Sequence, residues 1–378
     1  MRSLAGPLAA AVTLLASSGA LAQSDLALGY FATPPAAAIA AEGDSAAWRF
    51  SHPAPPASVV PPVWQAAFDW MAEHSGGRFT IEQFGAGSLH GPAEGFRAVR
   101  GGISEYAACY TSFEPTGFEM TRVFELPFVV PERPLVSVRV AMELARDYYR
   151  QEFEAAGVSF AHQILAGLSN IMSATPIRTL DDLQGLRVSA QGFQPEVAEA
   201  LGFNLVNIPY PELYAAFQQG IIDAVLWVDA GFVPYRIYEL APYYTTLNIT
   251  TVHIDSCFSP DAFAALPPDL QAAFYEMQQR IAAAITDEST NAFAERAQAA
   301  YAEAGVEFIE LPEEELQRMR DAVQPVIDDW VARLEAEGKP ASQLLADIER
   351  LEAHYSQFSD EELRAMILAE PIAGIVDF

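Results

Sequence analysis

The stretch 174–220, ATPIRTLDDLQGLRVSAQGFQPEVAEALGFNLVNIPYPELYAAFQQG, constrains the fold more than any other part of the chain. It opens on a Thr175-Pro176 turn and an acidic helix start at Asp181-Asp182. After Gly185 a short strand is expected at 186–189, then a helix, then a second strand at 205–208. A proline-bounded helix at 212–219 ends at Gly220. Strands and helices in strict alternation argue for an α/β fold with mostly parallel sheets.

The alternation extends in both directions. Trp48-Arg49-Phe50-Ser51-His52 reads as a first strand, broken at Pro53, and a proline-rich loop then leads into a helix at 63–74 that ends at Gly76-Gly77. Phe79, Ile81 and Gln83 alternate with Thr80 and Glu82, the pattern of a half-buried strand. A helix at 92–100 and strands at 103–110 and 158–165 follow, the last preceded by Val138, Met142, Ala145, Tyr149 and Phe153 at helical spacing. Beyond Asp223, residues 224–229 read as a buried strand turning into a loop, and 244–258 is β-rich. Pro267-Pro268 starts a long helix with Leu270, Phe274, Met277, Ile281 and Ile285 on one stripe. Acidic amphipathic helices are expected at 313–337 and 342–355, whereas residues 24–44, rich in Ala and Pro without apolar period, read as a mobile leader.

With 378 residues, 51% of them hydrophobic, the chain is long enough for two domains and too apolar to be disordered. A formal net charge of −29 repels phosphate backbones and argues against a nucleic-acid partner. The N-terminus has the form of an export signal: Arg2, an apolar run over 4–15, and Ala20-Leu21-Ala22 as a small-x-small site, with cleavage expected after Ala22. The run is shorter than the roughly 20 residues a membrane span needs. In an oxidising compartment Cys109 and Cys257 are either two separate buried thiols or one disulfide joining distant segments; the disulfide is the expectation adopted.

Enzyme motifs are missing. There is no Gly-x-Ser-x-Gly elbow, His-Glu-x-x-His pair, Walker loop or Gly-x-Gly-x-x-Gly turn, and the histidines at 52, 74, 90, 162, 253 and 354 show no close metal spacing. His52 stands apart, because it follows the first strand, where a parallel-sheet fold places its ligand crevice.

The stretch 174–223 resembles the solute-binding proteins of tripartite ATP-independent periplasmic (TRAP) transporters, whose pattern runs P-I-x-T-x-x-D-L-K-G-L-K-x-R-x-x-G and then P-x-x-E-x-Y-x-A-L-Q-x-G-x-x-D-G. Pro176, Ile177, Thr179, Asp182, Leu183, Gly185, Leu186 and Gly192 match the first part; Pro209, Glu212, Tyr214, Ala216, Gln218, Gly220 and Asp223 match the second. Residues 77–89, GRFTIEQFGAGSL, resemble a further family element. The resemblance implies a two-lobed periplasmic-binding-protein fold with crossing hinge strands and a long lobe-spanning helix. Its implied division is a signal peptide at 1–22, a leader at 23–45, lobe I at 46–165 with 245–262 returning to it, lobe II at 166–244, the spanning helix at 263–305, and acidic helices with a tail at 306–378. It also implies a periplasmic receptor that binds a small organic solute between the lobes, needs no cofactor, and delivers its ligand to the subunits of a TRAP membrane permease.

The ligand set departs from the family. Ser189 stands where the family's carboxylate-clamping arginine belongs, Ser169 replaces a second arginine, and Trp227 falls where a polar anchor is usual. Arginine suits the clamp because its planar fork meets a carboxylate with two parallel hydrogen bonds. Either the clamp has moved to Arg187, Arg178 or Arg236, with Arg187 favoured by strand alternation, or the ligand is held by hydroxyls, amides and aromatic faces. The second reading enlists His52, Tyr110, Phe193, Tyr210 and Trp227, with Ser169, Ser189, Gln191 and Asp229 as the polar complement. The expected ligand is a mono-acid or neutral compound with an apolar or aromatic body. Rival readings are a sensor feeding a receptor kinase and a secreted Ser-His-Asp hydrolase.

Overall fold

The computed structural model describes residues 25–56, 58–190 and 193–377. The expected export signal with its expected cleavage site, and Gln191, lie outside the described residues.

Two sheets organise the chain. The first has the order β2-β1-β3-β10-β4, from β1 (Ala46–Ser51), β2 (Phe79–Phe84), β3 (Tyr106–Ala108), β4 (Ser159–Leu168) and β10 (Thr251–Phe258). The second has the order β11-β9-β5-β8-β6-β7, from β5 (Asn170–Ser173), β6 (Arg187–Ser189), β7 (Asn204–Leu205), β8 (Ala224–Trp227), β9 (Tyr243–Thr246) and β11 (Glu307–Glu310). β1 runs parallel to β2 and β3, and β6 runs parallel to β7 and β8, so each lobe keeps a parallel α/β core with its crevice at the carboxyl ends of those strands.

The chain crosses between lobes where β4 passes into β5 and again where β9 passes into β10. These crossings pair with each other: the Ser169 N–H donates to the Thr250 carbonyl at 2.8 Å, and the Ile249 N–H donates to the Ser169 carbonyl at 3.2 Å. The β-rich stretch 244–258 is therefore two strands. Asn248 breaks it with φ +49°, and the Asn170 side-chain carbonyl accepts from the N–H groups of Leu247 and Asn248.

A long helix runs behind both lobes as Pro268–Asp287, a π-helical turn Glu288–Ala292, and Phe293–Glu303. Phe274, Met277 and Ile281 enter the core of the first lobe, whereas Phe293, Ala297 and Tyr301 enter that of the second. The π turn coincides with the change of lobe.

The leader differs from its sequence reading. Residues 25–45 are docked rather than mobile: Ala27 and Tyr30 are buried, and Arg280 on the long helix donates to the carbonyls of Tyr30 and Thr33, both at 3.0 Å. Arg280 also lies over the Trp70 ring. The segment is held through its own backbone, which explains why no apolar period betrays it. The tail is ordered too. A capping box at Ser359 and Glu362 starts a helix Asp360–Ala369, Arg364 pairs with the buried Asp287, and Ile372 and Ile375 complete the core of the first lobe.

Candidate functional site

The second lobe presents an aromatic cluster at the carboxyl end of β8. Trp227 ends that strand, and Tyr210 starts the turn Tyr210–Glu212; their rings are stacked with centroids 4.2 Å apart and an interplanar angle of 2°. Tyr235 leans on both, 5.6 Å from Trp227 and 6.1 Å from Tyr210. Gly231 packs its backbone on the indole, so close that a Cβ there would lie 2.2 Å from Trp227 Cδ2. The indole is therefore fixed between a ring and a backbone, and a solute meets its edge or the outer face of Tyr210.

The first lobe faces this cluster with Tyr110 and Val59. Val59 packs against the cores of both lobes, so the lobes meet here. Tyr110 follows β3 and stacks on Phe113. Burial, then the Tyr210 phenol across the cleft, then Asp255 push the Tyr110 hydroxyl well above its ordinary pKa, while burial and Tyr235 push Tyr210 up to about 12. Both phenols are neutral hydrogen-bonding groups at neutral pH.

A polar floor stands at the carboxyl ends of β1 and β2, the same end of the sheet from which Tyr110 leaves β3. His52 is buried against Trp64 and accepts from Gln83 Nε2 at 3.0 Å. Burial, aided by His90, pulls the His52 pKa down to about 4, so the ring is neutral. The His90 Nδ1 lies 2.8 Å from the Gly91 carbonyl. Three buried atoms of this floor, His52 Nδ1, Gln83 Oε1 and His90 Nε2, have no protein partner. Sequence reasoning missed Gln83, His90, Tyr235 and Val59. Gln83 carried a signal, since it is a polar residue in the inward phase of Phe79 and Ile81.

Cys109 and Cys257 form a disulfide with a Cα–Cα distance of 5.7 Å, tying the end of β3 to β10 beside Tyr110. A buried charge network lies alongside. His253 sits between Glu125 (2.9 Å) and Asp255 (3.0 Å); Asp255 accepts from Thr111 and Gln163, and Arg122 pairs with Glu125. Burial alone would lower the His253 pKa, but Asp255 and Glu125 outweigh it and raise it to about 10.

The remaining expected residues scatter. Ser169 and Ser189 are buried, Ser169 within the crossing, where its hydroxyl accepts from Thr250 Oγ1 at 3.3 Å. Phe193 packs on Phe203 at the core of the second lobe, away from the Trp227 cluster. Arg187 is corrected outright. It opens β6, two residues short of the crevice end, and its guanidinium grips Asp223 at the surface with contacts of 2.6 and 2.9 Å. Arg178 pairs with Glu307 and Arg236 with Glu239, both exposed, so none of the three is a displaced clamp. Asp229 turns toward the long helix, where Tyr301 Oη donates to it at 3.2 Å; it belongs to a separate cavity behind the crossings.

The fold and its cleft define a two-lobed solute receptor. The family described as bacterial extracellular solute-binding protein, family 7 (DctP) matches residues 50–334, and the chain belongs to that family. The C4-dicarboxylate-binding periplasmic protein DctP of Rhodobacter capsulatus is 24% identical over 298 residues, 76% of this chain and 87% of the relative. A TRAP solute-binding protein from Rhodoferax ferrireducens, solved with copurified benzoate, superposes with a TM-score of 0.72 at 21% identity, covering 83% of this chain and 99% of that one. A marine metagenome protein described as specific for aromatic acid ligands, in complex with metahydroxyphenylacetate, gives 0.73 at 18% identity, with 82% and 99% covered. At these identities the solved structures show the shared fold.

Proposed function

We propose that the protein captures a small organic solute with an aromatic body, a mono-acid or its neutral counterpart, between Tyr110 and the Tyr210–Trp227–Tyr235 cluster. The observation that carries this reading is the fixed aromatic wall of the second lobe, with a polar floor of His52, Gln83 and His90 at the crevice end of the first and with Arg178, Arg187 and Arg236 all engaged elsewhere. A ring fills the apolar wall; His52, whose Nε2 accepts from Gln83, donates through Nδ1 to one polar end, and Gln83 Oε1 accepts from a hydroxyl or amide N–H of the solute. Each carboxylate enters without a charged partner, at a cost of several kcal/mol, so a second one adds that cost again. Benzoate and metahydroxyphenylacetate, held by the two similar structures, have this build.

The receptor works outside the cytoplasm, in the periplasm after cleavage behind Ala22, and hands its solute to a TRAP permease. It performs no catalysis. Binding shifts the lobes toward the closed arrangement, because only that arrangement contacts solute from both sides.

Calorimetry with benzoate, benzamide and succinate tests the reading. An aromatic compound should bind and succinate should not, and Trp227→Ala should weaken the aromatic ligand by about 2 kcal/mol or more. Tight succinate binding that Trp227→Ala leaves untouched would overturn it.

A further inference from the structure

A cavity of about 460 Å³ opens between the crossings and the long helix. It shares none of its lining with the aromatic cluster or the His52 floor. Its walls come from three bodies at once: Glu132 and Leu165–Leu168 of the first lobe, Asp229, Tyr244 and Glu310 of the second, and the helix from Ser289 to Gln298. The volume lies within the roughly 300–1,000 Å³ usual for small-molecule sites.

The lining has one sign of charge. Asp229 lies half-buried inside, Glu132 and Glu310 stand exposed at the rim, and no lysine, arginine or histidine occurs among the described lining residues. Asp229 receives only neutral donors, the phenols of Tyr301 and Tyr244. Burial pushes its carboxyl up to about 6 against the pull of those two hydroxyls, as befits an anion lacking a cation. An independent sign of a missing ligand is Ser289. Its residue is 3% exposed, it lines the cavity at the π-helical turn, and its hydroxyl has no hydrogen-bond partner. Buried hydroxyls are normally satisfied, so an unpaired one lining a cavity marks a missing partner.

We propose that this hinge cavity is a binding site for a small organic cation, a linear diamine in form, with one ammonium on Asp229 and Ser289 and the other at the Glu132–Glu310 rim. An ammonium carries the donors that a carboxylate and a free hydroxyl oxygen accept. A bare metal ion fits less well, since no group of three or more His, Cys, Asp or Glu among the described residues converges to hold one. Such an occupant touches both lobes and the helix that spans them.

The test is titration calorimetry of the full exported protein with 1,4-diaminobutane, and with 1-butanol as the uncharged control. The diamine should bind saturably at one site and butanol should not. Asp229→Asn should weaken the diamine tenfold or more, roughly 1.4 kcal/mol, and Ala294→Phe, which fills the cavity from the helix side, should abolish it. Both variants are checked for a cooperative melt; if Asp229→Asn fails to fold, Ser289→Ala takes its place and should also weaken binding. Absence of saturable binding up to about 10 mM, far weaker than a built site gives, would overturn the proposal. So would diamine binding unchanged in folded variants, which marks general adhesion to an acidic surface.

Discussion

An indole with a phenol ring on one face and a backbone on the other has no freedom to tilt, and that restriction is what makes Trp227 useful as a wall. Gly231 is the residue that permits it. Adding one methyl group there places carbon 2.2 Å from Trp227 Cδ2, well inside van der Waals contact. Gly231→Ala should therefore drive the indole off Tyr210 and weaken aromatic solutes by about tenfold, roughly 1.4 kcal/mol. The added bulk should also lower stability by about 1–3 kcal/mol. Calorimetric titration beside a urea melt separates the two effects. His253 sets a different expectation. Its folded pKa of about 10 lies above the ordinary 6.5, so its stabilising contribution is fully present below about pH 6.5 and is lost as pH rises toward 10. The melting temperature should fall across that window, and His253→Gln should flatten the fall. Since that change leaves Asp255 buried without its cation and Glu125 with Arg122 alone, it should also cost about 3–5 kcal/mol at neutral pH, measured by urea unfolding.

At the scale of elements, the disulfide gives the sharpest expectation. It closes a separation of 148 residues, from the end of β3 to β10 on the return crossing. In the chain-entropy account such a loop is worth about 5 kcal/mol. Reduction, or Cys109→Ala with Cys257→Ala, should lower the unfolding free energy toward that amount. A loss below about 1 kcal/mol in a urea melt would mean that the denatured chain stays compact across the loop. These elements also show what can be read in advance. The βαβ core at 174–220 was legible because glycines and prolines punctuate short apolar runs. The long helix was legible because Leu270, Phe274, Met277 and Ile281 share a stripe, although nothing in that stripe announces the π turn. The leader was misread because its order comes from carbonyls offered to Arg280, and backbone acceptors leave no trace in composition. Arg187 was misread for a related reason. Strand alternation gives the face of a side chain but not its partner, and Asp223 lies 36 residues away in sequence. The floor of His52, Gln83 and His90 assembles from separate segments, so only the folded chain displays it.

The whole molecule adds a constraint that no single residue carries. A formal charge of −29 surrounds a cleft proposed to take an organic acid, so a monoanionic solute approaches against a repulsive field. No free arginine among the three considered reverses that field at the cleft mouth, since each is neutralised by Asp223, Glu307 or Glu239. Salt shortens the reach of the field, from about 30 Å at 0.01 M to about 8 Å at 0.15 M. Association of benzoate should therefore speed up several-fold over that range, the reverse of what a steering arginine would give. Benzamide has nearly the same shape without the charge, and its association rate should stay flat. Stopped-flow fluorescence can follow both, with Trp227 as a reporter inside the cleft. Dissociation begins from the closed, desolvated complex, where bulk ions reach poorly, so the salt effect should fall on the association rate and leave the dissociation rate nearly constant. A benzoate rate that declines with salt would require a positive patch at the cleft mouth, and would remove the case for an acid bound without a cationic guide.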